Sequence, residues 1–238
     1  RSYHSRGIQT KAEYKLSLGS SYLGLELGAR YHADSEDRFQ HDDSYSMHSG
    51  RMTLYRAGWG GDQSNRITAA HAFASYLLAK WSFSKLTLTA GLRLEDVEII
   101  KRDYTTKDPR RTGHLRIDGD NHATELLPSF GINYKILKPL SIFAGIHEGF
   151  APPSVAKYYR QKPEKSINLE SGLRLNLGSL RMEAIGYYND YSNMLGSDLA
   201  AAGGQGTLDQ FTVGAATVKG FEFLASWQPL PRAWHVQL

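Results

Sequence analysis

The connections constrain this chain most. They alternate strictly between short turns and long polar loops, and they join segments in which apolar and polar residues alternate. Residues 8–17 set Ile8, Thr10, Ala12, Tyr14 and Leu16 against Gln9, Lys11, Glu13, Lys15 and Ser17. A period of two over that length is a strand with one apolar and one wet face. The next strand carries Leu23, Leu25, Leu27, Ala29 and Tyr31 opposite Gly24, Glu26, Gly28, Arg30 and His32. Further strands are expected at 67–79, 86–95, 124–136, 140–149, 166–176, 180–190 and 214–227, with a tenth starting near Ala233. Short turns fall at 18–20, 81–85, 137–139, 177–179 and 228–231, and long loops at 34–66, 98–123, 150–165 and 191–213. In an up-and-down sheet this places every short turn on one rim and every long loop on the other. Soluble sandwiches rarely keep that asymmetry over ten strands, whereas outer-membrane barrels do.

Composition removes other classes. No run approaches the roughly 18 apolar residues of a membrane-spanning helix, and the mean hydropathy is −0.44. Barrel strands alternate, so such an average is compatible with them. The net charge of +4 is small and dispersed, with no basic helix or stacking platform for nucleic acid. The chain has no cysteine, hence no disulfide, thiolate metal site or thiol nucleophile. It contains no G-x-S-x-G, P-loop, G-x-G-x-x-G or H-E-x-x-H motif. RSYHSRGIQT lacks an apolar signal-peptide core, and HVQL lies inside an alternating run, so the chain is expected to be part of a longer one.

The wet face sets the expected width. Lys11, Glu13, Lys15, Glu26, Arg30, Arg93, Glu95, Asn133, Lys135, Glu170, Arg174, Arg181, Glu183 and Glu222 would all point inward. A narrow, side-chain-filled barrel could not desolvate so many charges. A wide lumen, water-filled or holding a polar plug, is expected, closed by strands beyond these ten. Trp81, Phe83, Tyr134, Trp227 and Trp234 lie near short turns, where a lower aromatic girdle belongs, with Tyr31 and Tyr188 suited to an upper one.

Several segments resemble the barrel of TonB-dependent outer-membrane receptors. They are AFASYLLAKWSFSKLTLTAGLRLE, LLPSFGINYKILKPLSIFAGIHEGFAPPS, KPEKSINLESGLRLNLGSLRMEAIGYYNDYSNML and TVGAATVKGFEFLASW. The last is similar to that family's N-x-G-x-A-x-x-x-G-x-E strand, with Thr212 where Asn is usual. Within the family, NDYSNMLGSDLAAAGGQGTLDQFTVGAATVKGFEF is most similar to receptors for ferric citrate. The resemblance covers roughly residues 66–228 and leaves 35–65 and 100–122 unmatched. It implies an all-β, antiparallel transmembrane barrel of about 22 strands, of which this chain supplies about ten, and a plug domain elsewhere. It further implies import of an iron chelate (ferric citrate or another siderophore) across the bacterial outer membrane, driven through TonB contacting the plug. The chain would do no chemistry on its cargo and would carry no cofactor, the ferric chelate being cargo. A barrel protease or phospholipase of about 10–12 strands and a passive porin are the alternatives.

Such chelates are anionic, which suits arginine. The loop from Lys101 to Arg116 carries Lys101, Arg102, Lys107, Arg110, Arg111 and Arg116 against Asp103 and Asp108. Arg102, Arg110, Arg111 and Arg116 are therefore candidate ligand contacts, with Tyr158 and Arg160 of the third loop. The same basic loop could instead meet anionic lipopolysaccharide. His41, Asp42, Asp43 and His48 resemble a metal cluster in composition, but their spacing defines no coordination geometry; no metal site is expected.

Overall fold

The computed structural model describes residues 1–155, 161–197, 210–228 and 236–237. Its strands are β1 (Ser2–Leu18), β2 (Ser21–Gln40), β3 (Ser44–His48), β4 (Arg51–Arg56), β5 (Ser64–Phe83), β6 (Leu86–Tyr104), β7 (Leu115–Lys135), β8 (Leu140–Ala151), β9 (Glu164–Asn176), β10 (Leu180–Ser197), β11 (Gln210–Trp227) and β12 (Val236–Gln237). Ten form one antiparallel sheet in the order β1-β2-β5-β6-β7-β8-β9-β10-β11-β12, and β3-β4 is a separate hairpin. The expected up-and-down order and strand number hold. The sheet is open, with β1 and β12 at its edges.

Register places all fourteen expected inward residues on one face. Glu13 faces Glu26, Gly28 faces Tyr76, Tyr76 faces Arg93, Glu170 faces Tyr187, and Glu183 faces Arg174. Charges on this wall pair locally: Lys11 Nζ lies 2.6 Å from Glu13, Arg93 2.6 Å from Glu95, and Arg174 2.6 Å from Glu183. Tyr76 Oη donates to Glu26 at 2.6 Å, and its ring lies flat across Gly28, where a Cβ would come within 2.2 Å. Tyr187 covers Gly220 in the same way, a Cβ there meeting its hydroxyl at 2.4 Å. Glycine opposite an aromatic thus keeps the inner wall low.

The opposite face is an apolar band. On β6 it runs from Leu86 through Leu88, Ala90, Leu92 and Leu94, a length suited to a transmembrane β-strand. Trp81, Phe83, Tyr134 and Trp227 all lie on this outer face beside the short turns, and Trp81 and Phe83 stack with centroids 6.1 Å apart. Tyr31 and Tyr188 mark its other edge, and Trp234 lies outside the described residues. Beyond the band the outer face turns polar at Asp96, Glu98 and His122, while Val97 comes to the inner face and is buried.

Two loop expectations are corrected here. Segments 34–66 and 98–123 are mostly strand: β2 runs on to Gln40, β5 begins at Ser64, β6 ends at Tyr104 and β7 begins at Leu115. A strand that leaves the bilayer has water on both faces, so it loses its alternation without losing its hydrogen bonds. The turn expected at 18–20 shrinks to Gly19-Ser20, and the one near 81–85 to Ser84-Lys85, with Ser84 at φ 51°. The rest of segment 34–66 is the β3-β4 hairpin, turned at Ser49 (φ 48°) and Gly50 (φ 76°).

Candidate ligand-contact rim

Above the apolar band, the β6-β7 connection is a built structure. Asp108 is its centre. Its carboxylate accepts the Thr112 N–H (2.8 Å) and hydroxyl (2.9 Å), the Gly113 N–H (3.1 Å) and the His114 N–H (2.9 Å). These donors, the Thr112 N–H foremost, hold the Asp108 carboxyl down to about 2 against the opposing effect of burial. Asn65, 2% exposed, donates its side-chain amide to the Asp108 carbonyl at 2.8 Å, tying the loop to the start of β5.

Arg111 closes the loop from outside. It sits at φ 55°, and its guanidinium grips Asp37 of β2 through two bonds of 2.8 and 2.6 Å while Nε donates to Asn65 Oδ1 at 2.9 Å. Phe39 and Tyr104 flank it at 5.3 and 5.4 Å from their centroids. The bonds from Arg111 hold Asp37 below the ordinary carboxylate range, and Asp37 in turn raises Arg111.

Asp108 therefore predicts a pH response. Its folded value lies below that of an unfolded aspartate, about 3.9. Its stabilising contribution is complete above that value and is lost as pH falls through about 2. Loop order, followed as amide protection at Thr112 to His114 in the full-length protein, is expected to hold at pH 5 and to decline only below about 4. Asp108→Asn should reduce that pH dependence to the part contributed by Asp37, whose carboxyl Arg111 also holds below the ordinary range; an unchanged profile in the variant would remove Asp108 as a source.

The remaining candidates do not converge. Arg102 lies on the outer face of β6, 3.8 Å from Asp118, with both side chains exposed. Arg110 is exposed in the β6-β7 loop. Arg116 belongs to β7, but its side chain lies outside the described residues, as do Tyr158 and Arg160 entirely. Lys101 and Asp103 face inward and are buried.

The described ends of the third loop, residues 152–155 and 161–163, meet the inner wall of β7 at Asn121. Asn121, fully buried, donates to the carbonyls of Ser154 (2.8 Å) and Gln161 (2.9 Å). Pro153 and Val155 are buried with it, so Pro153 is a packed anchor. Lys165 pairs with Glu125. In the hairpin's root, Asp43 accepts the Gly58 N–H at 2.8 Å and Asp62 accepts N–H groups from Asp42 and Trp59, each at 3.1 Å. Asp43 thus serves the turn.

Sequence reasoning missed an inner-face network on β1 and β2. Tyr3 Oη donates to Asp34 at 2.7 Å, Ser5 Oγ and His32 Nε2 lie 2.8 Å apart, and His32 Nδ1 is 3.3 Å from Asp34. Glu36 joins Arg1 (2.5 Å) and Arg38 (2.9 Å). The only signal was that even positions of β2 stay polar through Gln40. The order Ser5-His32-Asp34 follows that of a nucleophilic triad. Strand N–H groups, however, lie in the sheet plane, so none aims at an oxyanion above Ser5. The network braces the wall.

The comparisons agree with this geometry. No curated protein sequence matches the chain. Among solved structures, the ferric-catecholate import receptor Fiu of E. coli K12 in its closed form has a TM-score of 0.73 at 16% identity, covering 96% of this chain and 36% of that one. The unliganded ferric citrate transporter FecA gives 0.68 at 20% identity, with 94% and 32% covered. The ferric yersiniabactin uptake receptor FyuA of Yersinia pestis gives 0.64 at 15%, with 96% and 33% covered. This chain spans about a third of each, and identities so low speak for the fold alone. The family model described as TonB dependent receptor-like, beta-barrel matches residues 1–238, and the chain belongs to that family.

Proposed function

We propose that this chain forms part of the wall of an outer-membrane receptor that captures a ferric chelate at its extracellular rim. TonB would drive import by acting on a plug inside the barrel. The match of all 238 residues to the receptor-barrel family carries this reading. The sorted faces support it: an apolar band outside, a charged and internally paired wall inside. Three solved neighbours bear names of iron-chelate receptors. Ferric citrate is the first cargo to test, on the strength of the segment from Asn189 to Phe223.

The test uses the full-length receptor in an iron-starved host offered ferric citrate, a catecholate and a hydroxamate. Growth on one chelate, abolished when TonB is deleted, supports the proposal; growth on all three independent of TonB would point to a passive porin. Arg110, exposed and unlike Arg111 outside the Asp37 clamp, is the proposed capture residue of the basic loop. Arg110→Ala should weaken chelate binding roughly threefold to tenfold, more at low ionic strength. Equal affinities at both salt concentrations would discard it.

A further inference from the structure

The inner face of β7 buries a polar side chain where its surroundings suit an apolar one. Asn121 stands opposite Ile99 of β6, in the row between Gly119 and Ala123 of its own strand. Ala123 and Ile117 on that strand face are buried, as are Pro153 and Val155 of the third loop. Val155 lies over Gly119, its Cγ1 3.5 Å from where a Cβ would stand, an ordinary contact. Asn121 itself is 2% exposed, and its Oδ1 accepts no hydrogen bond from any described residue. An acceptor buried without a donor works against folding. A leucine would suit this seat better, so stability does not account for the amide.

The donors of that amide do account for it. Asn121 Nδ2 gives one N–H to the Ser154 carbonyl at 2.8 Å and the other to the Gln161 carbonyl at 2.9 Å. That is all a side-chain amide nitrogen can donate. The two carbonyls also fix which amide atom is nitrogen, since the flipped side chain would set oxygen against oxygen. A further bond closes the knot: the Ser154 N–H donates to Gln161 Oε1 at 3.2 Å, and Gln161 is 3% exposed. Positions 154 and 161 are thereby tied to one point of the wall. Apolar contact from Pro153 and Val155 is non-directional and would hold the chain in several registers. Two hydrogen bonds from one amide permit a single register. Tyr158 and Arg160, the candidate contacts of the third loop, lie between these two positions in the sequence.

We propose that Asn121 is the positioning residue of the third loop. By holding the Ser154 and Gln161 carbonyls together on the inner wall, it sets the point from which the loop presents its contacts to an anionic ferric chelate. Its effect is exerted through the loop, and it does not touch the chelate. The inference rests on the import reading, and its test scores the loop separately, by amide exchange.

Full-length receptor would first be checked for assembly by heat-modifiable migration. The urea midpoint, amide exchange at Ser154 and affinity for ferric citrate, a ferric catecholate and a ferric hydroxamate are then compared between variants. Asn121→Leu removes both donors and the unfilled acceptor while filling the seat. It should leave the urea midpoint unchanged or raised and speed Ser154 exchange roughly 5-fold to 150-fold, the scale of two lost hydrogen bonds. Whichever chelate the wild type binds should be held about tenfold more weakly. Stability kept while affinity falls is the mark of positioning. Where the leucine variant does not assemble, Asn121→Ala removes the same donors without added bulk. It is compared with Val155→Ala, which trims the apolar seat and leaves both bonds; the alanine at 121 should speed Ser154 exchange more. Wild-type exchange and affinity in Asn121→Leu, or a larger effect in Val155→Ala, overturns the inference. A parallel loss of urea midpoint and affinity also overturns it, since Asn121 would then serve the fold. A wild type that binds none of the three chelates counts instead against the import reading, and Ser154 exchange then decides alone whether Asn121 holds the loop.

Discussion

Leu92→Arg is expected to block assembly of the full-length barrel, and Thr89→Arg, three positions away on the same strand, is expected to be tolerated. Leu92 lies near the middle of the apolar face of β6, 46% exposed because nothing in the sheet covers it. Its cross-strand neighbours Leu77 and Pro128 belong to the same outer face. A charge at the middle of a lipid-facing strand costs about 2–4 kcal/mol. That is a large part of the net stability of an ordinary folded domain, about 5–15 kcal/mol. Thr89 stands on the other face, between Lys80 and Gly131. An arginine there joins the polar face that already carries Lys80, a repulsion that water screens. Urea unfolding from lipid vesicles, with heat-modifiable migration as the assembly check, measures both. If Thr89→Arg were the damaging substitution and Leu92→Arg the harmless one, the faces assigned to β6 would be inverted.

The same strand shows where sequence reasoning works and where it stops. From Leu86 to Glu95 one face meets hydrocarbon and the other water, so alternation reports the strand directly. From Asp96 to Tyr104 both faces are wet, and the sequence looks like loop although the pairing with β5 and β7 continues. The extension of β2 to Gln40 was hidden for the same reason, and the network of Tyr3, His32 and Asp34 with it. The turns at Gly19 and Gly178 were legible to within a residue because glycine marks them, whereas the one expected from Trp81 begins three residues later, at Ser84. The candidate rim was less legible. Arg110 and Arg111 are equivalent as letters, but the positive φ of Arg111 swings it onto Asp37, 74 positions earlier. No local pattern encodes a partner at that distance.

Arg111→Ala should release the β6-β7 loop while leaving the sheet beneath it intact. The clamp joins β2, β5 and the loop through one guanidinium: two bonds to Asp37, one to Asn65, and faces toward Phe39 and Tyr104. Asp37 keeps 39% of its side-chain exposure and Arg111 21%. The pair is thus worth less than the 3–5 kcal/mol lost on breaking a buried pair, and a coupling of about 1–3 kcal/mol is expected. That range corresponds to a rise of about 5-fold to 150-fold in the population of the opened loop. Trypsin reports it, since Lys107 and Arg110 lie within the loop and are exposed. Cleavage there should accelerate by that factor in Arg111→Ala and in Asp37→Ala. The double variant should add little, because either change alone removes the pair. Arg111→Lys should rescue only in part, since an ammonium can satisfy Asp37 but not both its oxygens and Asn65 in one plane. Amide protection along β6 below Leu94 is expected to stay unchanged in all four, which separates a released latch from a destabilised sheet. Additive effects of the two alanine substitutions would mean that Arg111 and Asp37 stabilise the rim independently, and the clamp would then be a contact without a coupling.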